Sequence, residues 1–267
     1  MDQLNAIQKA GLRVLMAAGI WPHIHFTYSP FKILEFRELV EKLVWTGRER
    51  VLDIGCGAGL QTFLIGRRAG HTTGLDVNAE FIAQARWYGR YVRGGVVDFE
   101  SRALADVGWP EATFDRIFSI CVLEHIPEHR AILAECARIL KPGGSLVFSV
   151  DTLAAIADPE LRRQHQSEHH VVQYYTPESL RTLLAESGLI DIRLRVLFRS
   201  ELARALFARG IREGFNFGRL QASRLAARLA RAEAAAAPDA PGIFLAAWAR
   251  RPPASGGGES PRAISRD

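Results

Sequence analysis

A chain of 267 residues, 48% hydrophobic and 24% charged, can bury a sizeable core in one domain or at most two. Its 34 basic and 29 acidic residues leave a modest excess that does not by itself call for a nucleic acid, and no apolar run is long enough to span a membrane. The three cysteines, Cys56, Cys121 and Cys136, lie far apart with no disulfide or zinc spacing, and read as reduced thiols of a cytoplasmic protein.

Residues 1–20 read as a helix with Leu4, Ile7, Gly11, Val14 and Leu15 on one face. The apolar run at 14–21 is not read as a signal peptide, because Asp2 and Lys9 precede it and Pro22 breaks it. Residues 21–30 form an irregular connector, and Phe36, Leu39, Val40 and Leu43 carry the stripe of a second helix. Residues 50–54 then read as a buried strand, 55–59 as a glycine turn, and the segment from Leu60 to Gly70 as a helix. Strand, glycine turn and helix open a nucleotide-type βαβ unit. Glycine lets the backbone turn sharply and approach a ligand with no Cβ in the way. A dinucleotide fingerprint would need a third glycine at position 60, which is Leu60. Asp53 beside the turn would repel a pyrophosphate and suits a ligand that carries an ammonium group. A second strand at 72–76 ends in Asp76, where such a unit offers a carboxylate to ribose hydroxyls.

Asn78 caps the next helix, which carries Phe81, Ile82, Ala85 and Trp87. Strands follow at 96–99, 114–121 and 145–150, with an amphipathic helix over Ile132, Leu133, Cys136 and Ile139 before the last of these. Asp151 ends the fifth strand, on the side where open α/β sheets bind ligands. Residues 152–175 are the least regular stretch and read as a loop over a substrate pocket. They contain His165, His169 and His170, but match no zinc-enzyme spacing, so no metal is expected. Thr176-Pro177-Glu178 starts a helix, and a strand follows at 190–198. Residues 201–236 read as an inserted helical hairpin, with Leu220, Leu225 and Leu229 on one face and arginines at its borders. A last strand covers 243–249, and the tail at 252–267 reads as disordered.

Five pieces in order carry a resemblance to a known family. They are Val51-Leu52-Asp53-Ile54-Gly55-Cys56-Gly57-Ala58-Gly59, Gly74-Leu75-Asp76, Phe114-Asp115, Leu123-Glu124-His125-Ile126-Pro127 and Leu140-Lys141-Pro142-Gly143-Gly144. With them the chain resembles the class I S-adenosylmethionine-dependent methyltransferases over roughly residues 31 to 200. The resemblance implies a doubly wound, mostly parallel seven-stranded Rossmann-like sheet with helices on both faces and an antiparallel last strand. It implies S-adenosylmethionine as cofactor, held by Asp53, Gly55, Gly57, Gly59, Asp76, Val77, Asp98, Phe99, Ile120 and Cys121. Asp106 is the alternative to Asp98 at the adenine amino group, and Tyr28 or Lys32 would meet the cofactor carboxylate. Residues 1–46 become a segment capping the cofactor site, and 47–251 the methyltransferase domain. The implied reaction moves a methyl group to an oxygen, nitrogen or carbon atom of a small or lipid-like acceptor, with peripheral membrane contact through the insert as one option. A general base is needed only if the attacked atom still carries a proton, and His125, Asp151, His165, His169 and His170 are its candidates. The rival readings are an RNA or protein methyltransferase that uses the arginines of the insert, and a binding protein that keeps the fold without catalysis.

Overall fold

The computed structural model describes residues 6–18 and 28–254. The connector up to position 27 and the tail from position 255 lie outside the described residues, so the expectations for them are not addressed.

Seven strands form one sheet in the order β3-β2-β1-β4-β5-β7-β6. They are β1 (Arg50–Ile54), β2 (His71–Asp76), β3 (Val97–Ser101), β4 (Phe114–Ile120), β5 (Leu140–Asp151), β6 (Ile190–Leu197) and β7 (Phe244–Arg250). β1 pairs in parallel with β2 and β4, while β7 is antiparallel to both β5 and β6. The expected seven-stranded sheet and its antiparallel last strand are therefore both present. The central strands read as continuous apolar runs because both faces are covered: Val51, Leu52, Ile117, Phe118, Leu146 and Val147 are all buried. Chain order reverses at β1 and β4, and their C-terminal ends open the crevice where such sheets bind ligands.

The helices in chain order are α1 (Ala6–Ala17), α2 (Pro30–Phe36), α3 (Leu60–Gly66), α4 (Ala79–Gly89), α5 (Leu104–Val107), α6 (His129–Ile139), α7 (Pro159–Glu168), α8 (Pro177–Glu186), α9 (Glu201–Glu213) and α10 (Arg219–Ala235). Asn78 accepts from the amides of Glu80 and Phe81 at the start of α4, and Thr176 and Ser179 close a capping box on α8.

Three stretches differ from the sequence reading. The segment 152–175 is not all loop, because Asp158 caps α7 by accepting from the amides of Glu160 and Leu161, with Pro159 in the first turn. α1 turns Met16 inward, while Ile7 and Val14 are 84% and 67% exposed. Apolar residues lie on both sides of this helix, and the aromatic cluster of α4 covers the Met16 side. In α10, Leu225 and Leu229 are buried but Leu220 is 81% exposed. Five residues of helix turn Leu220 about 140° away from Leu225, so the three leucines do not share a face.

α9 and α10 form a hairpin against α2 and the β6–β7 end of the sheet. Phe31 of α2 is the hub, with its ring centroid 4.9 Å from Phe198, 5.3 Å from Phe207 and 6.4 Å from both Phe215 and Phe244. Edge-to-face contacts of this kind add to the area that the rings bury. Because Phe31 is 1% exposed, truncation should leave a cavity that its ring neighbours cannot fill. Phe31→Ala should cost about 3–5 kcal/mol in urea unfolding; a loss under about 1 kcal/mol would show that the hairpin docks without it.

Candidate active site

The glycine turn is tied to β2 by three amides. Gly55 and Cys56 donate to the Leu75 carbonyl at 2.7 and 3.1 Å, and Gly57 donates to Asp76 Oδ2 at 2.8 Å. Asp76 Oδ1 accepts from the Asn78 amide at 2.8 Å, so the carboxylate at the end of β2 is held from both sides. Gly55, Gly57 and Gly59 have φ of +69°, +53° and +81°. That conformation favours glycine at each position, but the surroundings differ. A Cβ on Gly55 would stand 2.4 Å from a Val122 methyl, and one on Gly59 would stand 2.7 Å from the Phe99 ring. A Cβ on Gly57 would meet nothing within 4 Å, so Gly57 fronts open space. This fits a ligand lying against bare backbone, with Asp76 at its side.

Asp53 is 2% exposed beneath the turn and accepts from Thr62 Oγ1 at 2.7 Å. Burial pushes its carboxyl up from 3.8 to about 7; the Thr62 hydrogen bond opposes this and the Asp76 charge adds to it. Val77 is exposed beside Asp76. Ile120 ends β4 next to β1, and Cys121 follows it at φ +52°, its amide donating to the Ser149 carbonyl at 3.1 Å.

Asp98 does not reach this edge. It pairs with Thr73, while Ser101 pairs with Asp76, so Asp98 lies three residues short of the strand end, about 10 Å away. Its carboxylate meets His71 Nε2 at 2.9 Å, at the opposite end of β2. The two residues that close β3 are Glu100 and Ser101. Phe99 packs under the turn against Phe63, Gly59 and Gly74. It supports the turn from below. Asp106, the alternative, is exposed on α5.

Across β4 from the turn lies a cavity of about 360 Å³. Phe31, Phe207, Phe215 and Phe244 wall it, and Lys32, Cys121, Glu124, His125, Asp151, His165 and His169 supply its polar groups. Asp151, His125, His165 and His169 thus converge here, whereas His170 does not line the cavity. Lys32 donates to Glu35 Oε2 at 2.8 Å, and the Cys121 thiol donates to Glu35 Oε1 at 3.0 Å. Lys32 therefore faces a buried carboxylate of its own chain. Tyr28 is 45% exposed and does not line the cavity.

His165 Nε2 lies 3.6 Å from Asp151 Oδ2, and its Nδ1 is 3.2 Å from the Tyr174 hydroxyl. Burial first, then the neighbouring histidines, pull the His165 pKa down to about 4, so the ring is neutral at pH 7. Burial pushes Asp151 up to about 7, with Lys32 opposing and Glu35 adding. Glu124 is also raised, by burial and then by Asp151. Its two carboxyl oxygens have no hydrogen-bond partner among the described residues. The ligand atoms of Cys121, Glu124 and Asp151 lie within 4.8 Å of one another, close enough to share one cation. The histidine spacing did not point to this group.

Comparison with known proteins finds related sequences and folds. Residues 52–148 match the family model described as a methyltransferase domain. The chain is 35% identical over 162 residues to the ubiquinone biosynthesis O-methyltransferase of Xylella fastidiosa (strain M23), covering 57% of this chain and 65% of that protein. With the Hahella chejuensis enzyme of the same name it is 32% identical over 151 residues, covering 53% and 63%. The chain thus spans a little under two thirds of the length of these curated relatives. Haemonchus contortus phosphoethanolamine N-methyltransferase 2, solved with S-adenosyl-L-methionine, matches with a TM-score of 0.60 at 20% identity, over 82% of this chain and 52% of that one. Geranyl diphosphate C-methyltransferase from Streptomyces coelicolor A3(2), solved with S-adenosyl-L-homocysteine, gives 0.60 at 14% identity, over 82% and 76%. These two likenesses establish the fold.

Two outcomes test the turn. Asp76→Ala should weaken S-adenosylhomocysteine binding in calorimetry by about 1.5–3 kcal/mol, roughly 10- to 150-fold, without unfolding the protein; unchanged affinity would remove Asp76 from the site. The second concerns Asp53. Its folded pKa lies above the unfolded value, so the folded state keeps the proton between about pH 4 and 7 while the unfolded chain has released it. The stabilisation present below pH 4 is lost as pH rises through 7. The stability of the parent relative to Asp53→Asn, from urea unfolding, should therefore fall across that window. A flat difference would contradict the raised pKa.

Proposed function

We propose that this chain, a member of the class I S-adenosylmethionine-dependent methyltransferases, transfers a methyl group to a small-molecule acceptor held in the phenylalanine-walled cavity. The observation that carries this reading is the placement of two sites on either side of the end of β4. The glycine turn and Asp76 lie over β1 and β2, the cavity lies over β4, β5 and β7, and Cys121 stands between them.

In this reading Asp76 receives the ribose hydroxyls, and the bare backbone from Gly55 to Gly59 takes the rest of the cofactor edge. The cofactor brings its methyl group already activated on a sulfonium. The chain's work is then positioning and exclusion of water. The four phenylalanines hold the apolar body of an acceptor. Where the attacked atom carries a proton, Asp151 is the group best placed to take it, being buried in the cavity wall beside neutral His165. The cavity volume is near the lower end for small-molecule sites, which suits an acceptor of about a dozen heavy atoms.

α9 and the turn after it act as one wall. Phe215 lies directly on Gly210, where a Cβ would come within 2.4 Å of its ring. The hairpin also buries Leu206, Phe207, Ile211, Leu225 and Leu229, so deleting it whole would uncover the core. A point change separates the wall's role from its packing. Phe215→Ala should raise the acceptor KM about tenfold or more, with cofactor affinity within twofold of the parent, in steady-state assays of S-adenosylhomocysteine release. An unchanged KM would take the hairpin out of the acceptor site.

A further inference from the structure

Among the cavity's charged groups, Lys32 is matched by Glu35 at 2.8 Å. Glu124 and Asp151 have no such match. Glu124 is 0% exposed, lines the cavity and has both oxygens without a partner among the described residues. Asp151 is 4% exposed, sits beside Glu124 and Cys121, and has its nearest basic nitrogen in His165, at 3.6 Å. The other titratable groups on the cavity, His125 and His169, have pKa values that burial lowers, and the Cys121 thiol is raised by burial, so each favours its neutral form. Two buried carboxyls thus face one cavity with no hydrogen-bonded cation among the described residues: Lys32 acts on both through its charge, but its hydrogen bond goes to Glu35. An unmatched buried carboxyl is costly, and the cost falls when a positive ligand supplies the missing charge and hydrogen bonds.

The rest of the wall narrows what that ligand is. Phenylalanine rings surround the carboxyls, and aromatic faces attract organic cations. Lys32 already shows the preference, with its ammonium 5.7 Å from the centre of the Phe244 ring. Burial favours the neutral form of these carboxyls too, and an ammonium beside them would draw the pair back toward charge, which an alcohol or a phenol cannot do.

We propose that the acceptor is an amine, with its ammonium group seated between Glu124 and Asp151 and its apolar body against Phe31, Phe207, Phe215 and Phe244. This rests on the methyl-transfer reading and names the acceptor class for that same cavity. The balance of the reaction is simple. The bound ammonium gives one proton to a carboxylate of the pair, and the freed lone pair forms the N–C bond. The S–C bond breaks with its electron pair staying on sulfur, leaving an N-methylammonium and a neutral thioether.

The test uses the full chain and three probes of similar size: 2-phenylethylamine, 2-phenylethanol and 4-ethylphenol. Calorimetry on the S-adenosylhomocysteine-loaded protein should show the amine binding at least tenfold tighter than either neutral probe. Glu124→Gln, and separately Asp151→Asn, should remove most of that preference while S-adenosylhomocysteine still binds within twofold of the parent. Mass analysis should find the methyl group on nitrogen. Equal binding of the three probes, or methylation of the alcohol or phenol in preference to the amine, overturns the amine assignment and leaves methyl transfer standing. Turnover that requires an added divalent metal ion and stops with a chelator also overturns it, since a metal then takes the ammonium's place. Failure of the parent to bind S-adenosylhomocysteine at all is a different result and removes the methyl-transfer reading itself.

Discussion

The hydrogen bond from the Gly57 amide to Asp76 is the constraint on which the site depends. It joins the turn after β1 to the end of β2 at 2.8 Å, and the Leu75 carbonyl adds two more amides from the same turn. With the turn fixed, Gly57 presents bare backbone to open space, and α3 starts at a set angle behind it. Phe99 fills the space beneath, against Gly59 and Gly74, so a larger residue at either glycine would lift the turn. The glycine-turn edge is thus made by packing from below and hydrogen bonding from the side.

The phenylalanine-walled cavity is built on different principles. Its walls come from α2, α7, α9 and the ends of β4, β5 and β7, and Phe31 ties these elements together. Within this apolar shell the chain buries Glu35, Glu124 and Asp151, which an apolar core would not tolerate without compensation. Glu35 has Lys32 and the Cys121 thiol. The remaining two carboxyls concentrate unmet polarity beside Cys121, just past the end of β4. Unpaired buried polar groups persist where function retains them, and here they lie where an acceptor would be held.

How much of this could be read from the sequence depends on how local the determinants are. The glycine turn, Asp53 and Asp76 lie within one βαβ unit, and a short apolar run ending in glycines announces it. The caps at Asn78 and Thr176 are legible for the same reason, and the cap at Asp158 follows the same rule in a helix that buries only Leu161 and His165 and so carries little apolar signal. Asp98 reads as a strand-end acid only if the strand ends with its apolar residues, and it does not. β3 is an edge strand, and it continues through Glu100 and Ser101 because polar side chains are tolerated there. The acceptor cavity was only half legible. Lys32, Glu124, Asp151, His165 and Phe215 come from distant segments, and only the sheet topology brings them together. Glu124 stood in plain view within the motif Leu123-Glu124-His125, but its burial and lack of partners are tertiary facts.

In the proposed arrangement the cofactor lies on the glycine-turn side of β4 and the acceptor on the phenylalanine side. A crystal structure of the full chain with S-adenosylhomocysteine tests it most directly. The account predicts ribose hydroxyls within hydrogen-bond distance of the Asp76 carboxylate, the sulfur directed past Cys121 toward the cavity, and Glu124 and Asp151 free of the cofactor. Ligand density among Phe31, Phe207, Phe215 and Phe244, with Asp76 untouched, would contradict it.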